Sequence, residues 1–293
     1  IMKKKRKIPV SKIFVYFILA GIGFVYLYPV LYMIVNSFLS AGDLTDPSVT
    51  WIPTELCFDN FSTAFETLDF FKSFGMSMLM SLIPAVLQTA VTAVIAYGLA
   101  RFHIPFKKVI LVLILITFLL PTQVMLVPRY VLFDTYHLTD TIWAQFLPAL
   151  FGQGLNSAIF IFVYYSYFVS YPVVLDEAAE IDGAGKWKIF LKVSLPMAKG
   201  AIILSMLFSF VFYWNETYLS NTLWGGKIQT LPLKLQSFTL QYEALYGKEA
   251  AGSISESVSL AGTLLSILPL LVMYLIFQRQ FVESIESTGI TGE

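Results

Sequence analysis

The chain has 293 residues, 57% of them hydrophobic and 13% charged, with a formal net charge of zero and a single cysteine, Cys57. Soluble domains carry about 45 to 50% apolar and about 25% charged residues, so an ordinary soluble fold is excluded and a bilayer is the expected solvent. One cysteine excludes an internal disulfide, and zero net charge gives no general attraction for a polyanion such as nucleic acid.

In chain order, Lys3, Lys4, Lys5, Arg6 and Lys7 precede an apolar run from Ile13 to Phe38. That run exceeds the roughly 7 to 15 residues of a signal-peptide core, so it is read as a retained first span behind a basic cytoplasmic N-terminus, residues 1–12. Further runs long enough to cross about 30 Å of hydrocarbon lie at Ser73–Ala100, Val109–Leu132, Phe151–Ser170, Ala201–Leu219 and Ser257–Phe277. Backbone groups in lipid must bond within their own segment, so the expected fold is an all-α membrane protein of six transmembrane helices. Pro29, Pro84 and Pro269 are read as packing kinks. Pro121 and Pro128 share the third run with Gln123, which suggests a broken helix lining a cavity.

Lys and Arg are retained on the cytoplasmic side of a membrane. With the N-terminus inside, fourteen of the nineteen basic residues fall in cytoplasmic segments, and only Lys72, Arg129, Lys227, Lys234 and Lys248 fall outside. Both termini are then cytoplasmic, and so is the segment between the fourth and fifth runs. The outer segments, Leu39 to Lys72 and Asn221 to Glu256, carry turn signals such as Asp46-Pro47 and Gly225-Gly226.

The cytoplasmic segment 171–199 holds Glu177-Ala178-Ala179-Glu180-Ile181-Asp182-Gly183-Ala184-Gly185, followed by Phe190 and Pro196. Small alanines give a narrow helical surface able to enter a groove, and Gly183 lets the backbone turn without a side-chain penalty. Trp187, Phe190 and Leu191 offer the next helix an apolar face for packing on the ends of the spans.

This stretch resembles the EAA loop of ABC importer membrane subunits, in the Asp-Gly-Ala form of the carbohydrate-importing branch. Tyr28-Pro29-Val30, Ser37-Phe38, Ala96-Tyr97-Gly98-Leu99-Ala100-Arg101-Phe102, Leu120-Pro121 with Pro128, Trp214-Asn215-Glu216, and Gln278 with Phe281 are similar to the maltose-transporter-type sugar permeases. Glu283, Ser284 and Glu286 depart from that pattern. The resemblance implies a type I importer transmembrane domain over residues 13–293. In such a domain Glu177, Ala178, Ala179, Asp182, Gly183 and Ala184 engage an ATPase, Glu177 faces a basic group there and Gly183 sets the bend. It implies a second homologous permease subunit, two ATPase subunits carrying ATP and its magnesium, an extracytoplasmic solute-binding protein and a sugar substrate. The setting is the cytoplasmic membrane of a bacterial or archaeal cell.

The chain's own chemistry agrees with a subunit that borrows its energy. Gly183-Ala184-Gly185-Lys186-Trp187 lacks the first glycine of a phosphate loop and has Trp where Ser or Thr would hold magnesium. Ionisable groups are scarce in the spans, with Glu216 near the outer end of the fifth the main exception, which disfavours ion coupling. His103 and His137 are isolated and are read as interfacial residues, so neither a metal site nor a catalytic residue is expected, and no cofactor is expected on this chain. Sugar recognition uses aromatic faces and amide or carboxylate groups. Trp214, Asn215 and Glu216 offer that mixture, as do Gln123, Asn156, Tyr164 and Tyr213; the competing reading of each is an aromatic belt with polar neighbours.

The resulting expectation is a permease subunit that moves a sugar, an oligosaccharide, inward. The alternatives are another solute in the same class (a polyol, glycerol phosphate or a charged oligosaccharide), an ion-coupled secondary carrier and a membrane-anchored sensor.

Overall fold

The computed structural model describes residues 10–251 and 255–289. The basic cluster Lys3 to Lys7 lies outside the described residues, as do the side chains of Phe281, Glu283, Ser284 and Glu286. Every regular element among the described residues is helical. They are α1 (Val10–Asn36), α2 (Ala41–Thr45), α3 (Asp59–Thr67), α4 (Phe70–Arg101), α5 (Lys107–Leu119), α6 (Thr122–Thr135), α7 (Trp143–Leu150), α8 (Ser157–Ser170) and α9 (Val174–Ile181). Then come α10 (Lys186–Ile189), a π-helical turn (Phe190–Ser194), α11 (Leu195–Met197), α12 (Lys199–Asn215), α13 (Tyr218–Trp224), α14 (Leu231–Gln236), α15 (Phe238–Tyr246), α16 (Lys248–Ala251) and α17 (Glu256–Gly289).

Three helices are long and apolar enough to cross a bilayer unbroken, within Phe14–Asn36, Phe70–Arg101 and Glu256–Gln280. Three bent pairs raise the possible spans to six: α5 with α6 at 99°, α8 with α9 at 74°, and the Lys186–Met197 stretch with α12 at 80°. The third expected span, Val109–Leu132, is therefore not one straight helix. Pro121 forces Leu120 into extended backbone, ψ 121°, because a residue before proline is pushed out of the helical region. The fourth, Phe151–Ser170, begins six residues later than expected, at Ser157, because Asn156 sits at φ 53° and Gly152 at φ 70°. The fifth, Ala201–Leu219, ends at Asn215, where Glu216 turns extended.

The chain divides into two compact units. Among the described residues, 10–69, 237–251 and 255–268 form the first. Here Asn60 donates its amide to the carbonyls of Ser37 (3.0 Å) and Leu39 (2.9 Å), tying α3 to the end of α1. Phe38 packs on Phe61 and Phe58, at ring separations of 4.8 and 5.4 Å, and the Tyr246 hydroxyl donates to Glu66 at 2.7 Å, joining α15 to α3. Ser40 and Asp43 form a capping box on α2, and Asp43 also accepts from the Thr54 hydroxyl at 2.5 Å.

Residues 70–236 and 269–289 form the second unit. Its centre is α4, packed against α7, α8, α12 and α14. The buried face of α4 is built from small residues, Ser77, Ser81, Ala85, Thr89, Thr92, Ala93 and Ala96, and α12 answers with Ala201, Ser205 and Ser209. Small side chains allow backbones to approach closely where lipid supplies no hydrophobic drive between helices. Towards one end of α4, Tyr97, Phe168, Tyr171 and Phe190 complete an aromatic core with Tyr164.

Candidate functional sites: a polar loop and a cavity beside a broken helix

The loop after α8 is built around two short helices. Asp176 and Glu177 lie in the first turn of α9, where acidic groups complement the helix dipole. At its other end the Gly183 amide donates to the Glu180 carbonyl (3.0 Å) and the Ala184 amide to the Ala179 carbonyl (2.9 Å). These two bonds with Gly183 at φ 80° make a Schellman cap, which favours glycine at its left-handed position. A Lys186–Glu180 ion pair spans the same turn, though exposed pairs of this kind contribute little.

Glu177, Ala178, Glu180, Ile181, Asp182 and Gly183 are exposed, while Ala179 and Ala184 are partly covered. Ile181 is 87% exposed, Val174 68% and Trp187 65%. The expected apolar face of the second helix is thus divided: Phe190 is buried against Tyr97 and Phe168, but Trp187 and Leu191 face away. The π-helical turn over Phe190–Ser194 widens the repeat, so the inward side holds Ile189, Phe190 and Ser194.

Under this loop lies a buried polar cluster. Arg101, the last residue of α4, places its Nε 3.1 Å from Asp176 Oδ2 and donates from Nη2 to the Tyr171 carbonyl at 2.9 Å. Its guanidinium stacks on the Tyr171 ring at 3.8 Å. The Tyr171 hydroxyl bonds to Asp176 Oδ1 and lies 2.7 Å from Ser194 Oγ. Burial, then the neighbouring Asp176, pushes the Tyr171 hydroxyl up to about 12, so it stays a donor at neutral pH. A carboxylate removed from water must be paired and hydrogen-bonded, and Asp176 is both.

The second site is a cavity of about 1030 Å³ flanked by α5, α6, the Gly152–Asn156 turn and the start of α8. Gln123, Arg129, Gln153 and Asn156 give its wall polar groups, among apolar neighbours such as Phe118 and Phe151. Asn156 caps α8 without a side-chain bond to the helix, leaving its amide exposed. A smaller cavity of about 20 Å³, room for one water by volume, shares Arg129 and adds Gln145, Tyr213 and Glu216.

Of the seven residues singled out for a substrate path, Gln123 and Asn156 line the large cavity, and Tyr213 and Glu216 the small one. Tyr164 and Trp214 line neither. Tyr164 is fully buried, and Trp214 packs against Phe74 and Phe210 with 2% exposure. Asn215 donates to the Val211 carbonyl, and Glu216 accepts from the Leu219 amide at 2.6 Å, so both are employed in ending α12 and starting α13. Tyr213 belongs to a buried trio: its hydroxyl donates to Gln88 Oε1 (2.5 Å) and accepts from the Leu155 amide (3.2 Å), while Gln88 Nε2 donates to the Leu155 carbonyl (2.7 Å). Gly154 makes room for it, since a Cβ there would overlap Gln88 Oε1 and the Tyr213 hydroxyl. Sequence reading did not find Asp176, Gln88 or the role of Arg101; the available signals were one acid beside Glu177 and one arginine ending an apolar helix. Among the described residues no group of three or more His, Cys, Asp or Glu could hold a metal ion.

Residues 91–285 match the family model described as binding-protein-dependent transport system inner membrane component. The arabinooligosaccharides transport system permease protein of Halalkalibacterium halodurans is 27% identical, over 93% of this chain and 94% of that one. The probable starch degradation products transport system permease protein of Thermoanaerobacterium thermosulfurigenes is 26% identical, over 96% and 97%. The crystal structure of a bacterial ABC transporter involved in the import of the acidic polysaccharide alginate contains a chain with the same fold. Its TM-score is 0.77 at 23% identity, covering 96% of this chain and all of that one. With the matched segment spanning both the EAA-like loop and the cavity, the chain belongs to the family of binding-protein-dependent transport system inner membrane components, as a permease.

Proposed function

We propose that this chain is one of two permease subunits of an ATP-driven importer that moves an oligosaccharide into the cytoplasm. The observation that carries this reading is the loop of residues 171–199. It presents exposed Glu177 and Ala178 on α9 and Asp182 at its end, beside bare apolar side chains at Ile181 and Trp187, with the Gly183 cap turning the chain between the two loop helices. Exposed apolar groups around a small-residue helix form a docking face, and the distribution of basic residues along the sequence supports a cytoplasmic position for it.

In this reading the permease domain spans residues 13–293, residues 1–12 form a basic cytoplasmic N-terminus, and both termini are cytoplasmic. Two ATPase subunits hold ATP and magnesium and seat on the loop and its counterpart, Glu177 meeting a basic group and Gly183 keeping the angle between the loop helices. The second permease faces the cavity, and a solute-binding protein delivers sugar from outside. Gln123 and Asn156, with free amides on the larger wall, are the candidates for contact with substrate, while Tyr213 and Glu216 line a space of about 20 Å³, with room for only one water. Arabinooligosaccharides and starch degradation products, named for two relatives, support an oligosaccharide.

A second reading within the class is an acidic oligosaccharide, favoured by the Arg129 guanidinium on the same wall. Copurification in mild detergent tests the assembly, and uptake by proteoliposomes loaded with ATP tests transport. Recovery of an ATPase and a second permease, with uptake stimulated by one sugar-loaded receptor, is the expected result. Uptake by the chain alone without ATP would overturn the reading, and uptake confined to uronate-containing sugars would select the second one.

A further inference from the structure

The two buried polar clusters described above sit on one helix. Arg101 at the end of α4 grips Asp176 and the Tyr171 carbonyl, and Gln88, thirteen residues earlier on the same helix, grips Leu155 and Tyr213. At helical rise these grips are roughly 20 Å apart, and no proline interrupts residues 88–101, since Pro84 lies beyond Gln88. Leu155 belongs to the turn that lines the cavity beside Asn156.

We propose that α4 carries movement of the loop to the cavity wall, held by Asp176 and Tyr171 through Arg101 at one end and by Leu155 and Tyr213 through Gln88 at the other. The proposal rests on the coupling role given to the loop under the proposed function. Arg101, Asp176 and Gln88 are positioning residues in this scheme, with no contact to substrate or nucleotide. A competing route exists along the chain itself, because α8 runs from the cavity turn into α9. That route bends by 74° between Ser170 and Val174, and Arg101 clamps it by bonding the Tyr171 carbonyl at the bend. Buried groups with several fixed partners have few alternative arrangements, so a displacement of α9 is passed on as a displacement of α4 rather than absorbed locally.

The test uses the assembled complex with Cys57→Ser and Asn156→Cys, and measures the rate of maleimide labelling at position 156 with and without a non-hydrolysable ATP analogue. The parent is expected to change its labelling rate by roughly fivefold or more, the lower range of site-to-site coupling. Two variants then break either grip. Arg101→Gln with Asp176→Asn removes both charges together, which avoids stranding one in the core, and Gln88→Met removes the other grip at similar volume. In each, the ATPase is expected to copurify while the labelling ratio falls to about one, and Asp176→Glu with Arg101 intact restores part of the ratio. A parent-like ratio in either variant would overturn the proposal and favour the route through α8. No nucleotide response in the parent itself would instead overturn the coupling role of the loop.

Discussion

Replacing Gly154 with alanine measures the Gln88–Tyr213–Leu155 trio directly. The added methyl would lie 3.1 Å from Gln88 Cδ and closer still to Gln88 Oε1 and the Tyr213 hydroxyl, so at least one of the three hydrogen bonds at 2.5, 2.7 and 3.2 Å must open. A buried polar group left without its partner costs about 1–3 kcal/mol and overpacking about 1–3 kcal/mol, giving an expected destabilisation of about 2–6 kcal/mol. Gly154 is outside the left-handed region, so alanine brings no backbone penalty of its own. The assay is thermal unfolding in detergent followed by size-exclusion fluorescence, on Gly154→Ala alone and in a background of Gln88→Ala with Tyr213→Phe, where the clash partners are gone. Coupling of at least about 1 kcal/mol between the two changes is expected. Additive effects, or an unshifted melting point for the single variant, would refute the proposed crowding.

At Gly183, nothing lies within 4 Å of a built Cβ, so substitution acts through backbone strain alone, about 1–2 kcal/mol for a side chain in a left-handed conformation. Gly183→Val is expected to lose most ATP-dependent uptake while the protein reaches the membrane, and Gly183→Asn to keep more; equal uptake for both would contradict this. Trp214→Ala should destabilise the protein by about 3–5 kcal/mol as a core deletion, whereas Gln123→Ala should leave the melting point in place and change uptake. In the segment between α1 and α3, the hydrogen bond from Thr54 holds the Asp43 carboxyl below its ordinary value of 3.8. Because the folded value is depressed, the loop's stability is present above pH 3.8 and lost as pH falls through the lower folded value. Proteolysis of residues 39–58 across that range is expected to accelerate only in acid, and Thr54→Val to move the onset to higher pH.

Local chemistry explains what was legible before the structure. Proline rules pointed to a break in the third run at Pro121 or Pro128, of which Pro121 marks it and Pro128 lies inside α6, and the glycine after Glu-Ala-Ala marked the Gly183 turn, because both depend on neighbours in the chain. The late start of α8 was hidden by Phe151 and Leu155, apolar residues that kept the hydropathy high through a turn governed by Gly152, Gly154 and Asn156. Trp214 and Gln123 look equally suited to a sugar by side-chain type. Only tertiary placement separates them, Trp214 against Phe74 and Phe210, Gln123 on a cavity wall. Arg101 and Asp176 are 75 positions apart, and no spacing rule reaches that far.

The most apolar eighteen residues of α1, within Phe14–Asn36, include none that is buried inside the chain. Moving such a surface between lipid and another helix gains little, since both are equally greasy. Exchanges among apolar side chains at Phe17, Val25 or Tyr26, which are 76, 69 and 80% exposed, should therefore leave the melting point of the solubilised chain where it is. A stability scan in detergent would pass over this helix in silence, and bilayer thickness is the variable that would make it speak.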